Sequence, residues 1–453
     1  MQTSEHIELK LSVFNIVING SDNVAIVYNT LQDSITLMKG RTKSKGDIYA
    51  LHLQGVLCNK NIDERHVFRH RMNLQKYSNK ILHMFITLTG LCNCECRYCF
   101  AKNSFPACSI GVEDTEYIVS FAEGQLNMRH IESIVVDFFG GEPMLCREIC
   151  LNIMEKLNTL ADKYGATIEF RVYTNGTVNP FKNPEDIVAF SGVRFLITLD
   201  GLKEEHDYLR PMKSEKSSFD LIINNLLCIK ENGGQAVIRI NFGEKNYKRI
   251  PLLLDFLKKK GLTCFDIEFY PIQNMSLGSA DYKDAVEPSK LPEMNIFLWH
   301  EAWNRGIKVA LRPVSSCCYC TAFTSSMFVI DPELNVYKCA LLQCDRKYSI
   351  GSLKRNTDYQ RDLVFYDWIN YDPSSEEKCK DCKSLPVCAG GCGGSGTFRF
   401  GSIHHENCYD LSEAMLKERI RLYVMQYYSG LLRQFQENDS SVLILERAKH
   451  PAL

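Results

Sequence analysis

Three cysteines in the stretch LTGLCNCECRYCF, namely Cys92, Cys96 and Cys99, are separated by three and then two residues and follow directly on an apolar, β-branched run. A single loop of that length brings three thiolates around one small centre. A four-iron cluster held by four cysteines has every iron capped by protein, whereas three cysteines leave one iron open to another ligand. Tetrahedral zinc is the competing chemistry for such spacings. Cys94 interrupts the series and is a rival ligand. Two more cysteine groups follow, Cys317 to Cys344 and Cys379 to Cys408, in a chain with 20 cysteines. In a reducing compartment such density points to metal ligation more than to disulfides. The scattered Cys58, Cys108, Cys146, Cys150, Cys228 and Cys264 read as core residues, since free cysteine packs as a small hydrophobe.

The elements that must carry these groups alternate. Short β-branched runs at MFITLTG, SIVVDFFG, IEFRVYTNG, RFLITLDG, AVIRINF and CFDIEFYPI are separated by longer helical stretches such as LCREICLNIMEKLNTLADKYG and YKRIPLLLDFLKKKG. That rhythm predicts α/β architecture: six parallel strands with right-handed crossovers, closing into a partial barrel whose reactive face lies at the strand C-terminal ends. The first cysteine loop, GGEP, TNG and LDG all follow strands on that face. Before residue 80, VFNIVIN, NVAIVYN and SITLMKG predict three strands, followed by helices near DIYALHLQG and within 63–78. The expected organisation is a small α+β module over 1–80, the barrel over 81–275, a bridge over 276–310, a cysteine-rich domain over 311–410, and a C-terminal helix and tail over 411–453.

Composition excludes several partners. The 53 basic and 54 acidic side chains nearly cancel, which offers no field to nucleic acid or an anionic membrane. No apolar run approaches the roughly 20 residues of a membrane span. The polar start MQTSEHIELK lacks the apolar core of a signal peptide, so the expected location is the cytoplasm.

With its Tyr98 and Phe100 around the third cysteine, the CxxxCxxC segment resembles that of radical S-adenosylmethionine (SAM) enzymes. The resemblance implies a [4Fe–4S] cluster on Cys92, Cys96 and Cys99 whose open iron chelates the amine and carboxylate of SAM, and its spacing excludes Cys94. FFGGEP resembles the segment lining the SAM methionine moiety, which assigns Gly140, Gly141 and Glu142 to the cofactor; glycine lets backbone approach a ligand closely. A plain turn with Pro143 early in a helix is the structural alternative. TNGT and TLDG resemble the third and fourth strand ends of the family, where polar side chains meet ribose and carboxylate. Asn175 and Thr198 are the candidates there, against ordinary Asn-Gly and Asp-Gly turns. In HDYLRP, His206, Asp207 and Arg210 match a family stretch and read as structural. Arg239 is a candidate partner for the SAM carboxylate, with a buried ion pair as the alternative.

The spacing Cys379-x2-Cys382-x5-Cys388-x3-Cys392, then Cys408, resembles the SPASM extension of radical SAM enzymes that act on peptides and proteins. By that resemblance Cys379, Cys382, Cys388 and Cys408 hold a distal auxiliary cluster, and Cys320, Cys339 and Cys392 a proximal one, making three [4Fe–4S] clusters in all. The fourth proximal ligand lies between Cys317 and Cys318, with Cys317 preferred for its CxxC spacing to Cys320; without either, an open iron would face substrate. The family usually has glycine where Leu334 stands, five residues before Cys339.

The resemblance implies reductive cleavage of SAM to a 5′-deoxyadenosyl radical, with electrons from a separate ferredoxin or flavodoxin, since no GxGxxG follows a strand as the flavin or nicotinamide fingerprint does. Two substrate classes compete. Anaerobic sulfatase maturases share the cysteine groups but typically carry an aspartate base directly after the cysteine corresponding to Cys339, where this chain has Ala340. They also begin close to the first cysteine motif. The 80 residues ahead of it resemble in pattern the leader-recognition domain of ribosomal-peptide maturases, which favours oxidative cross-linking, through a thioether or carbon–carbon bond, of a precursor peptide with a leader. A non-catalytic iron–sulfur protein is the third reading.

Overall fold

The computed structural model describes residues 8–447 apart from 21–22, 41–43, 79, 103, 182, 275–281, 314–316, 319, 356–361, 406–407 and 409–411. The first seven residues, the tail beyond 447 and the domain junctions set at 275/276 and 410/411 lie outside the described residues.

The N-terminal region contains β1 (Leu9–Leu11), β2 (Asn15–Asn19), β3 (Val24–Asn29), β4 (Ser34–Lys39) and β5 (Leu57–Asn59), with helices Lys45–Leu53 and Glu64–Tyr77. Ser44 and Asp63 start these helices as N-caps, each accepting a backbone N–H. Next come β6 (Ile81–Thr89), β7 (Ser133–Gly140), β8 (Thr167–Thr174), β9 (Arg194–Thr198), β10 (Gln235–Phe242) and β11 (Asp266–Pro271). Helices fill the intervals; Arg147–Tyr164 and Ile250–Lys259 both run into a left-handed glycine, Gly165 and Gly261, where only a missing Cβ is comfortable. The cysteine-rich region adds β12 (Met327–Ile330), β13 (Asn335–Tyr337) and β14 (Ser349–Ser352). A final β15 (Val442–Glu446) follows the long helix Glu413–Glu437.

The six expected strands form one parallel sheet in the order β11-β10-β9-β8-β7-β6, and the sheet continues through β12, β13 and β14. β12 pairs parallel with β6, so the cysteine-rich region is hydrogen-bonded to the barrel edge. The second sheet runs β15-β4-β3-β2, which makes the C-terminal strand a partner of the N-terminal module. Glu446 secures it by ion-pairing with Arg312 at 2.5 Å, and Arg312 also reaches Asp33 at 3.1 Å. β15 has no counterpart in the sequence reading.

Alternation along the parallel strands sorts the sheet into two unlike faces. Leu82, Met84, Ile86, Val136, Phe138, Val172, Phe195, Ile197, Ile238 and Ile240 join helix residues such as Ile118, Ile153, Leu226 and Leu254 in one apolar core. Their alternates, including His83, Phe85, Asp137, Phe139, Arg171, Tyr173, Thr198 and Arg239, line the opposite face. A parallel sheet is ordinarily apolar on both sides. The charged and aromatic side chains therefore mark the inner face as a working surface.

Leu334, where the family has glycine, occupies the β12–β13 turn at φ +66°. Asp331 holds the turn by accepting the Glu333 and Asn335 N–H groups at 2.9 and 2.8 Å. The left-handed conformation costs a leucine about 1–2 kcal/mol, and complete burial of its side chain offsets that. Leu334→Gly should relieve the strain but lose the burial, which is worth roughly 2–5 kcal/mol. A lower thermal midpoint than wild type is the expected outcome, measured on protein of equal iron content.

Candidate active site

The first cysteine loop leaves β6 through a very close crossing. The N–H of Gly141 donates to the Thr89 carbonyl at 2.7 Å and that of Glu142 to the Leu91 carbonyl at 2.9 Å. A Cβ on Gly141 would lie 2.3 Å from the Leu91 oxygen, and one on Gly90 would lie 1.9 Å from the Pro106 oxygen. Gly140 is equally constrained, with Thr89 O 2.5 Å from a Cβ position. These glycines thus serve first to seat the loop. With the N–H groups of Gly141 and Glu142 spent on it, the backbone this segment offers a ligand amine consists of carbonyls.

Glu142 is fully buried. Its carboxylate accepts from Thr174 Oγ1 at 2.6 Å, Asn175 N at 2.7 Å and Met144 N at 2.9 Å, tying the end of β7 to the end of β8. Burial pushes its pKa up to about 7 in spite of these donors. Asn175, fixed by this brace, turns its amide Nδ2 to Asn93 Oδ1 at 2.7 Å and to the sulfurs of Cys94 and Cys92 at 3.4 and 3.8 Å. It is thereby beside the cysteine loop.

The far side of the loop is stitched to residues 209–213. Glu95 N donates to Pro211 O at 2.8 Å and Arg97 N to Leu209 O at 2.9 Å. Arg210, buried, donates to the Tyr98 hydroxyl at 2.7 Å and lies 3.6 Å from Asp200, to which Tyr98 also donates. It is the positive neighbour of Cys92, Cys94, Cys96 and Cys99 alike. A fixed cation beside several thiols favours the thiolate, the form that binds metal. Cys92 is drawn down to about 6, first by the hydrogen bond with Cys94 and further by Arg210, whereas burial raises Cys96 to about 11. The structural reading of the HDYLRP stretch fits His206 and Asp207, which accept the N–H of Asp200 at 3.1 Å and of Phe219 at 2.9 Å. Arg210 also lies beside the thiols, a placement for which the HDYLRP stretch carried no local signal.

Arg239 stands on the inner face with its guanidinium 3.8 Å from the Tyr270 ring centre and 5.6 Å from that of Tyr173. Its Nε is buried with no hydrogen-bond partner, and no carboxylate ion-pairs with it among the described residues. A buried donor without an acceptor costs about 1–3 kcal/mol, and a ligand carboxylate would satisfy it. Thr198 lies beside Arg239 across the β9–β10 pairing. Around them Phe85, Phe139 and Tyr173 form an aromatic wall, and Phe100 from the cysteine loop stacks on Phe139 at 5.7 Å.

The C-terminal cysteines fall into two neighbourhoods. Cys339 is next to Cys320 and Cys392, with Gly394 so close that a Cβ would meet Cys339 Sγ at 2.7 Å. Cys388 is next to Cys379, Cys382 and Cys408. Cys318 packs with Cys320 and Cys339, while Cys317, at φ +53°, packs with Cys379 and Cys382. In this structure Cys318, and not the preferred Cys317, stands with Cys320 and Cys339, and the left-handed backbone at Cys317 turns consecutive side chains towards different groups. Among the described residues no three potential ligands converge on a single-ion site. The donor sets are wholly thiol, the soft chemistry that suits iron–sulfur clusters.

Two measurements test this geometry. Gly141→Ala should push the cysteine loop off the β7 end, with loss of the first cluster's electron paramagnetic resonance signal and of SAM binding while the C-terminal clusters persist. Cys318→Ala should lower the iron content by about four per chain, and Cys317→Ala should leave it unchanged.

The Radical SAM superfamily matches residues 86–257. A cysteine-type anaerobic sulfatase-maturating enzyme of Clostridium novyi is 27% identical over 338 residues, covering 66% of this chain and 84% of the relative. A serine-type anaerobic sulfatase-maturating enzyme of Bacteroides thetaiotaomicron is 27% identical over 204 residues, covering 43% and 47%. Among solved structures, anSMEcpe with bound AdoMet and a Cp18Cys peptide is similar at a TM-score of 0.58 and 19% identity, covering 80% of this chain and 100% of that one. Streptococcus suis SuiB bound to the precursor peptide SuiA is similar at 0.55 and 14% identity, covering 89% and 100%. The matched residues span β6 to the helix before β11 and contain the cysteine loop, the seating glycines and Arg239, and the chain accordingly carries a radical SAM domain.

Proposed function

We propose that this protein is a peptide maturase that oxidatively cross-links a ribosomally made precursor, with SAM and three iron–sulfur clusters as cofactors. The observation that carries the reading is the two-faced parallel sheet: an enclosed polar and aromatic face directly beneath a three-cysteine loop and flanked by a thiol-rich region. SAM on the open iron of a reduced cluster supplies a radical able to take hydrogen from an unactivated C–H bond. The protein's own part is placement and exclusion. Cys92, Cys96 and Cys99 hold the cluster; Arg239, whose Nε lacks an acceptor, binds the SAM carboxylate beside Thr198; Asn175 steadies the loop. Phe85, Phe100, Phe139 and Tyr173 keep water from the reacting carbon.

Substrate class is argued from three features. Position 340 is alanine, which removes the aspartate base typical of sulfatase maturases. The solved chain bound to the precursor peptide SuiA aligns with 89% of this one, against 80% for anSMEcpe. The N-terminal sheet offers an extended leader an edge on which to add as a strand, through main-chain hydrogen bonds. The sheet ends on β15 and β2, and of the two β2 belongs to the N-terminal module, with Val17 45% exposed on it.

The second reading, sulfatase maturation to formylglycine, draws on the 338-residue similarity to the Clostridium novyi enzyme. Co-expression with a short cysteine-containing or aromatic-rich peptide encoded beside the gene separates the two. The expected product has lost two hydrogens, with the loss mapped to a cross-link by tandem mass spectrometry. Formylglycine on a sulfatase fragment, with the neighbouring peptide unchanged, would reverse the assignment.

A further inference from the structure

His83 and Asp137 were singled out by no motif, yet they form a paired acid and base on the inner face. His83 Nε2 lies 2.6 Å from Asp137 Oδ2, and their side chains are 15% and 4% exposed. Because a carboxylate can only accept, Nε2 carries the hydrogen and Nδ1 is left as the basic nitrogen. No hydrogen bond to Nδ1 occurs among the described residues. Asp137 Oδ1 is buried without a hydrogen bond, and Arg171 approaches it only to 3.9 Å. Arg171 is itself engaged by Glu169 at 2.8 Å. A buried carboxylate left half-satisfied is a poor device for stability.

Its location gives the pair a use. Asp137 precedes Phe139 by one pleat of β7, about 7 Å, and Phe139 stacks on Phe100, the residue after Cys99. Phe85 is the register partner of Asp137 and packs in one cluster with Ala340 and Tyr337. His83 stands one pleat further from the cysteine loop, opposite Val135 and Met327, and Met327 and Phe85 belong to the same cluster as the alanine that stands where sulfatase maturases typically carry their base.

We propose that His83, oriented by Asp137, accepts the proton released when the peptide cross-link forms; the proposal rests on the cross-linking reading above. Two hydrogens leave the peptide in that reaction. One departs as an atom from carbon to the SAM-derived radical. The other is the proton on the nucleophilic atom, a thiol sulfur in the thioether case. It passes to His83 Nδ1 while its bonding pair joins the carbon-centred radical's electron, two of the three electrons forming the new bond. An oxidised iron–sulfur cluster held by the C-terminal cysteines would take up the surplus electron. Asp137 steadies the imidazolium that results, as the carboxylate does in a hydrolase triad.

The test separates hydrogen abstraction from bond formation in iron-loaded protein with the cross-linkable peptide. His83→Gln should keep peptide affinity, measured by fluorescence anisotropy, and deuterium transfer from labelled peptide into 5′-deoxyadenosine within about twofold. Cross-linked product should fall by about 100-fold or more, the usual size of a general base's contribution. Asp137→Asn, which keeps the side-chain shape, should show the same uncoupling to a smaller degree and serves if His83→Gln fails to fold. Cross-linking at the wild-type rate in either folded variant, or equal loss of deuterium transfer and cross-link, would overturn the proposal. A wild-type protein that abstracts hydrogen but forms no cross-link would instead sink the function on which it rests.

Discussion

The chemistry of this chain hangs on one close approach. The start of the cysteine loop crosses the end of β7 within hydrogen-bond distance of Gly141 and Glu142, at a separation no side chain tolerates. Because that crossing fixes Leu91, the cysteines begin at a set height above the parallel sheet. Glu142 then extends the restraint sideways to Thr174 and Asn175, and Asn175 returns to the loop through its amide. Backbone pairing with residues 209–213 restrains the other side and brings Arg210 among the thiols. Three short segments of distant sequence thus converge on one loop, and the glycines and the buried carboxylate are there to let them touch.

What lies below the loop follows from the second constraint, the unlike faces of the sheet. The helices need only one face of a parallel sheet to build a core, and Leu82 through Ile267 supply it. The other face is free to carry His83, Asp137, Arg171, Tyr173 and Arg239, which no core would accept unpaired. Extension of the sheet by β12, β13 and β14 places the thiol-rich region against the same edge strand that leads into the first cysteine loop. Electron-accepting clusters there would stand close to the reacting face. The N-terminal module is joined to that region as well: Phe14, Phe68 and Met72 pack with Cys317 and Cys379, and Thr30 donates to the Lys383 carbonyl at 2.6 Å. Leader docking and cluster geometry would therefore share one packed body.

Much of this was legible in the sequence, for physical reasons. Period-two β-branched runs located the six barrel strands, and Gly140, Gly176 and Gly201 marked three strand ends where neighbouring parts of the chain come close. Cysteine spacing separated the thiol groups, because ligand spacing is a local property of chain length. Side-chain direction was not legible. Cys317 and Cys318 are adjacent, and only the left-handed backbone at Cys317 reveals that they face different neighbours. Gly140 and Gly141 carried a signal for close approach, but not that the approaching group is the chain itself. β15 was invisible because VLILE is too short to stand out after a 25-residue helix and acquires its meaning only from β4, some 400 residues earlier. His83 and Asp137 were missed for the same reason: a pair on adjacent strands leaves no motif.

The central claim is that Cys92, Cys96 and Cys99 hold a cluster with one iron open to SAM. Anaerobic incubation of the iron-loaded protein with SAM and dithionite tests it most directly. The account predicts 5′-deoxyadenosine and methionine in equal amounts from wild-type protein and none from a variant lacking those three thiols; wild-type protein that has all its clusters and yields no 5′-deoxyadenosine would contradict it.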